Sequence, residues 1–314
     1  MTTSAIAVSG LRKAFGDKIV LDGIDLDVPA GTVFSLLGPN GAGKTTTVNI
    51  LTTLMKADAG TVRVAGHDIA AEARAVRAVV GVTGQFAAVD ELLTGQENLQ
   101  LMADLKRLGS GPARRVITGL LERFDLSEPA HKLVSTYSGG MRRKLDLAMT
   151  LVGSPQVIFL DEPTTGLDPR SRRTMWDIVR ELVADGVTVF LTTQYLDEAD
   201  QLAHQIAVLD QGHLVARGTP AELKRLVPGS YVRLRFTDAR ELDAAARVLA
   251  GSARDDEDLI LQVPSDGQSK SLRALLDRLD EYSVNAEDFS VHTPDLDDVF
   301  LALTGHASTE ETSR

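Results

Sequence analysis

The chain has 314 residues, 43% hydrophobic and 25% charged, enough for one large domain or for a large domain with a small companion. It contains no cysteine, which excludes disulfides and thiolate chemistry. Its formal net charge of -11 argues against nucleic acid as a partner, because binding a phosphate backbone rests on Lys and Arg. No apolar run approaches the roughly 18 residues that span a bilayer, and the opening "MTTSAIAVSGLRKAF" lacks a basic segment followed by an apolar one. The expectation is a soluble chain made in the cytoplasm.

In chain order, "IAVSGLRKAF" and "KIVLDGIDLDV" alternate apolar and polar residues across turn signals and predict antiparallel strands. "TVFSLLGPNGAGKTTTVNILTTL" predicts a strand, a glycine-rich turn and a helix with Val48, Leu51 and Leu54 on one face. "GTVRVAGHDI" reads as a short strand with turns. A mainly helical region is expected over about 92–152, and Thr94 with Glu97 has capping-box spacing at its start. "QVIFL" and "VTVFLTT" return to strand, separated by a helix over about 169–184 that Asp168 caps and Pro169 opens. "QIAVLDQGHLVARG" predicts a hairpin turning at Asp210–Gly212, and "TPAEL" starts another helix at Pro220. Strands alternating with helices around glycine-rich turns predict an α/β fold. It has a mainly parallel sheet and carries ligands at the strands' C-terminal ends. Near Leu226 the pattern changes to a small α+β domain over 227–305, followed by a polar tail, 306–314.

Three stretches carry chemistry. "GPNGAGKT", from Gly38 to Thr45, fills every fixed position of the phosphate-binding P-loop between a predicted strand and helix. Glycines let backbone N–H groups converge on phosphates, Lys44 can bridge the β- and γ-phosphates, and the Thr45 hydroxyl can ligate Mg²⁺. In "VIFLDEP", four apolar residues end in Asp161 and Glu162, which strand alternation should point to different sides. Asp161 suits Mg²⁺, and Glu162 suits a general base for an attacking water. "YSGGMRRKLDLAMTLVG" sets Ser138, Gly139 and Gly140 before an amphipathic helix, a second place suited to an anion. A single P-loop site does not obviously need that second grip, which hints at a nucleotide sandwiched between two copies.

These motifs resemble those of the ATP-binding subunits of ABC transporters over roughly 6–226. "GPNGAGKT" is similar to their Walker A motif, "VIFLDEP" to Walker B, "YSGGM" to the signature and "TTGLD" to the D-loop. The resemblance implies a P-loop ABC ATPase fold with an N-terminal antiparallel part and a helical subdomain. It implies ATP and Mg²⁺ as ligands, a head-to-tail dimer and a separate membrane permease, the chain lying peripherally on the inner face of the membrane. By the same resemblance, Gly38, Asn40, Gly41, Ala42, Gly43, Lys44, Thr45 and Thr46 hold the nucleotide, and Thr45, Gln85 and Asp161 serve the metal. Gln85 falls at the Q-loop position, and Asp168 at the D-loop's interface position. Phe15 stands where the family places a ring against adenine, and is otherwise a core residue.

Gln194, in "VFLTTQYLDEAD", occupies a position where most of these ATPases have a histidine that contacts the γ-phosphate. It is either a substitute for that histidine or an ordinary polar strand end. The departure, together with "VTGQFAAVDELLTGQENL" and "DLDDVFLALTG", resembles the daunorubicin/doxorubicin-resistance subgroup of exporter ATPases. Two other classes stay open. A soluble ABC-type ATPase unconnected to transport usually has two cassettes or a long coiled coil, whereas this chain has one P-loop and no heptads. A non-catalytic nucleotide-dependent regulator should have lost Lys44 or Glu162, and both are present.

Overall fold

The computed structural model describes residues 4–85, 87–227, 229–265, 268–292 and 294–305; the tail 306–314 lies outside them. The chain divides into two compact units, Met1–Pro220 and Ala221–Arg314. Unit 1 opens with β1 (Ser4–Phe15) and β2 (Lys18–Pro29), paired antiparallel as the alternation predicts. Ile6, Val8 and Leu11 on β1 and Ile24, Leu26 and Val28 on β2 are buried. β3 (Val33–Leu37) is buried along its whole length, and α1 (Lys44–Leu51) follows the glycine-rich turn. Val48 and Leu51 face inward, but Leu54 is 69% exposed. The helix ends at Leu51 with Thr52 as its C-cap, so helical periodicity no longer places Leu54.

β4 (Ala59–Val64) and β5 (His67–Asp68) complete a four-stranded sheet in the order β2-β1-β4-β5. The short α2 (Ala73–Val79) and β6 (Val80–Thr83) lead to the helical part, α3 (Gly95–Leu105), α4 (Ser110–Arg123) and α5 (Gly139–Leu151). Then come β7 (Val157–Asp161), α6 (Pro169–Ala184), β8 (Thr188–Thr193), α7 (Leu196–Leu202), β9 (Gln205–Asp210) and β10 (His213–Gly218). The β9–β10 turn uses Gln211 at φ 45 and Gly212 at φ 80, the positive dihedrals that a two-residue hairpin turn needs. The main sheet runs β10-β9-β3-β8-β7-β6, parallel from β9 to β6, with β10 antiparallel at one edge.

Burial on both faces explains why β3, β7 and β8 read as continuous apolar runs. Alternation then sorts their side chains. Val33, Ile158, Leu160, Val189 and Leu191 join the core that the helical part covers. Phe34, Phe159 and Phe190 join the core shared with β1 and β2. There Phe34 and Phe190 stack with centroids 5.5 Å apart.

α8 (Pro220–Lys224) follows at the division. Unit 2 contains β11 (Tyr231–Arg235), α9 (Ala239–Val248), β12 (Ala253–Asp255), β13 (Ile260–Pro264), α10 (Ser269–Glu281), β14 (Asp288–His292) and α11 (Leu296–Thr304). Its antiparallel sheet has the order β12-β13-β11-β14. Val232, Leu234, Leu261 and Val263 form one core with Leu242 and Ala245 of α9 and Leu275 and Leu279 of α10. Leu234 pairs with Phe289 and Val232 with Val291 on the edge strand β14, yet Phe289 is 47% and Val291 38% exposed. On α11, Val299 and Phe300 are buried.

Candidate functional site

Register brings the chemistry together. Leu37 of β3 pairs with Thr193, Thr192 of β8 with Asp161, and Leu160 of β7 with Thr83. Four neighbouring strands therefore end level, and their next residues are the P-loop, Gln194, Glu162 and the Gly84–Gln85 pair. This is the C-terminal edge of a parallel sheet, where such folds bind ligands.

The P-loop is built for close approach. A Cβ on Gly38 would stand 2.3 Å from the Leu209 carbonyl oxygen. Gly43 has φ 112, and a Cβ there would meet Leu21 Cδ2 at 2.7 Å. Gly43 is also the N-cap of α1 and offers no side-chain acceptor, so the first-turn N–H groups of the helix face outward without a capping group. Ala42 is buried and forms part of the loop's footing. Lys44, 5% exposed, donates from Nζ to the Gly38 carbonyl at 2.7 Å and lies 3.4 Å from Glu162 Oε1. Burial pulls its pKa down, and the carboxylates of Glu162 and Asp161 oppose that shift.

A cleft of about 260 Å³ is lined by Asn40, Gly41, Gly43, Lys44, Thr45 and Thr46, and across from them by Gln85 and Glu162. Asp161 is buried beside it, its Oδ1 accepting a hydrogen bond from the Thr192 hydroxyl. The expected alternation of the two acids does not hold. β7 stops at Asp161, and Glu162 takes the left-handed conformation at φ 50, so both carboxylates act on Lys44. Gln194, half-buried, follows the last residue of β8 but does not line the cleft. Phe15 is no core residue. It ends β1, is 49% exposed, and its ring centroid lies 5.4 Å from Lys13 Nζ.

Ser138, Gly139 and Gly140 stand apart from this group. Ser138 caps α5, its Oγ accepting from the Met141 N–H at 3.3 Å. A separate pocket of about 420 Å³ is lined there by Ser138, Gly140, Lys144, Arg170 and Ser171, among others, and shares no residue with the P-loop cleft. Asp168 caps α6, accepting from the Arg170 and Ser171 amides at 3.0 Å and from the Ser171 hydroxyl at 2.6 Å. The last of these bonds contributes most to holding its carboxyl below the usual range.

Three buried ionisable side chains escaped sequence reasoning. Arg143 and Asp146 form an ion pair at 3.3 Å on the inward side of α5, and Glu198 of α7 is fully buried with Trp176 Nε1 donating to its Oε1 at 3.2 Å. Burial pushes the carboxyl pKa values of Asp146 and Glu198 up. The available signal was positional: Arg143 precedes Leu147 by four residues and Glu198 precedes Leu202 by four, placing polar groups on stripes that bury apolar ones.

The residues fit ATP and Mg²⁺. The cradle cannot take side chains at Gly38 or Gly43, and uncapped helix N–H groups flank a lysine. Among the described residues no group of three or more His, Asp or Glu could hold a metal. The hydroxyl of Thr45, the amide of Gln85 and the single carboxylate of Asp161 suit Mg²⁺, which takes one or two carboxylates and leans on substrate phosphates and water.

Fold and cleft define a P-loop ATPase, and comparison with known proteins gives the family. Residues 21–165 match the family model described as ABC transporter. The chain is 50% identical over 307 residues to the daunorubicin resistance ATP-binding protein DrrA3 of Streptomyces coeruleorubidus, covering 97% of each chain. It is 49% identical to the daunorubicin/doxorubicin resistance ATP-binding protein DrrA of Streptomyces peucetius, over 98% of this chain and 96% of that one. A solved ATP-binding subunit of an ABC transporter superposes with a TM-score of 0.64 at 26% identity, covering 71% of this chain and 92% of the other. The ADP conformation of the ATP-binding cassette MJ1267 gives 0.63 at 26%, covering 70% and 93%. The chain belongs to the ATP-binding proteins of ABC transporters, and it is an ATP-binding and ATP-hydrolysing protein related to drug-resistance ATPases.

Proposed function

We propose that the chain powers export of an amphiphilic compound through a separate membrane permease, working as a head-to-tail pair with two ATPs between the copies. The observation that carries the pairing is the separation of two anion-suited helix starts, Lys44–Thr46 and Ser138–Gly140, into different pockets of one chain. Each P-loop would be completed by the other copy's Ser138, Gly139 and Gly140, with Asp168 at the same interface. The names of the relatives support the exporter reading. Among the described residues no helix is long and apolar enough to cross a membrane, which supports a separate permease and a peripheral place on the membrane's inner face. The net charge of -11 gives no support to a nucleic-acid partner.

In this reading Lys44 and the first-turn amides of α1 grip the phosphates while Phe15 lies against adenine. Thr45, Gln85 and Asp161 hold Mg²⁺, which would screen the phosphate charge. Phosphate oxygens compete with Glu162 for the Lys44 ammonium, and the carboxylate so released takes the proton of the attacking water. Gln194 donates to the γ-phosphate through its amide.

Mixing two inactive variants with the permease in membranes tests the reading. Lys44→Ala should abolish the chain's own phosphate grip, and Ser138→Arg should block closure of the neighbour's site. In the mixed pair both defects fall in one composite site and the other escapes, so ATP turnover and efflux should partly return. No recovery, together with loss of ATP binding by isolated Ser138→Arg chains, would show that Ser138 serves its own P-loop.

A further inference from the structure

We infer that Arg143, locked to Asp146, is a positioning residue that sets the Gln85 segment against the Glu162 segment and ties both to the helix bearing Ser138–Gly140. The inference rests on Gln85 and Glu162 acting in hydrolysis as proposed above.

The guanidinium reaches three main-chain carbonyls from two distant parts of the chain. Nε donates to Pro163 O at 2.9 Å and Nη2 to Asp161 O at 3.2 Å, so it grips Glu162 through both of its chain neighbours. Nη1 donates to Gly84 O at 2.8 Å, the residue before Gln85. Asp146 continues the clamp: its Oδ2 pairs with Nη1 at 3.3 Å, and its Oδ1 accepts from the Ala88 N–H at 3.0 Å. The Gln85 segment is thus held ahead of Gln85 by Arg143 and beyond it by Asp146. Both side chains project from the second and third turns of α5, whose first turn follows Ser138.

Stability alone gives little reason for such a pair. Arg143 and Asp146 are 7% and 2% exposed, and buried ion pairs are often no more stabilising than apolar side chains of similar volume. What the pair supplies is shape. Only a planar fork can donate in several fixed directions at once; a lysine offers one nitrogen and a point charge. A helix whose start faces the neighbouring copy is therefore joined, through one side chain, to both strand-end segments that flank the reacting phosphate.

Arg143→Lys keeps the charge and removes the fork. In the full chain with its permease, ATP affinity should stay at the parental value while kcat falls about 10²-fold, the cost of a displacement near 1 Å at the reacting centre. Arg143→Met/Asp146→Leu makes the same test if the single variant folds poorly, because the two buried charges leave together. Gln85→Ala should then cost less in the Arg143→Lys background than in the parent, since residues acting as a unit are not additive. Parental kcat in a folded Arg143 variant, a loss of ATP affinity matching the loss of kcat, or fully multiplicative effects with Gln85→Ala would each overturn the inference. Glu162→Gln run alongside separates the two readings. If that variant keeps turnover, the catalytic reading of Glu162 fails and takes the inference with it. If it is inactive while Arg143→Lys turns over normally, the inference fails alone.

Discussion

Gln194 stands where β8 gives way to α7, with Thr193 Oγ1 accepting from the Tyr195 N–H at 2.9 Å and fixing that corner. An amide donates to a phosphate oxygen as a histidine does but takes no proton near neutral pH. With Glu162 as base, Gln194 only has to orient groups. Gln194→Ala should therefore lower kcat far more than ATP affinity, and Gln194→His should be tolerated and bring a new pH dependence near pH 6–7. Turnover and nucleotide affinity of the three forms, measured across that range with the permease, decide it; an alanine variant equal to the parent would make Gln194 a polar strand end and nothing more.

Glu198 makes a second prediction at this scale. Burial raises its carboxyl pKa; the hydrogen bond that Trp176 Nε1 donates to Oε1 opposes the shift, and the nearby charge of Asp197 adds to it. A folded-state value above the unfolded one means that the folded chain keeps a proton the unfolded chain releases. The group's contribution to stability is whole below the ordinary glutamate range and is lost as pH rises through the folded value. Glu198→Gln cannot ionise, so its thermal midpoint should gain on the parent's as pH climbs from about 4 to about 8. A gap between the two midpoints that stays constant over that span would show that folding leaves Glu198's protonation unchanged. Glycines, lysine and strand-end acids were legible one by one, because their spacing reports backbone geometry. Arg143, Asp146 and Glu198 were not, because each has a partner far away in sequence: main-chain carbonyls for Arg143, the Ala88 N–H for Asp146 and the Trp176 indole for Glu198.

Elements were readable in proportion to how locally they are determined. α3 is the clearest case: the Glu97 N–H donates to Thr94 Oγ1 at 3.2 Å, and the Thr94 N–H donates to Glu97 Oε2 at 2.8 Å, the reciprocal cap its spacing announced. Thr94→Ala should lower stability by about 1 kcal/mol, read from the denaturant midpoint with an unchanged slope. Similarly, α6 begins at Pro169 behind Asp168, where the sequence placed it. α7 was not legible, and the strand before Gln85 was legible only as one reading of that residue, because short segments take their structure from neighbours. The four residues of β6 are a strand because Val157–Leu160 pair alongside them. That strand is the one that delivers Gln85, so the site's shape was less legible than its inventory.

For the whole molecule, the division at Pro220–Ala221 separates every P-loop cleft residue from unit 2. A chain ending after Leu226 should bind ATP as the full chain does. If the chain powers a permease as proposed, coupling to it is the property the truncated chain stands to lose. Isothermal titration with ATP on the folded truncated protein tests the division; absence of binding would sink it. The two daunorubicin-resistance relatives align over 97% and 98% of this chain, whereas the two solved cassettes compared with it cover 71% and 70%.

The edge strand β14 has a bearing on how the protein can be handled. Among the described residues it has one strand neighbour, and its apolar Phe289 and Val291 are not covered by the α9–α10 core. A free strand edge beside exposed apolar side chains is a template for non-native self-association. Charged Asp288 sits within the strand as a natural gatekeeper, and no lysine or proline assists it there. Unit 2 expressed as a fragment would therefore be prone to self-association along this edge, and Val291→Lys blunts the edge without entering the α9–α10 core.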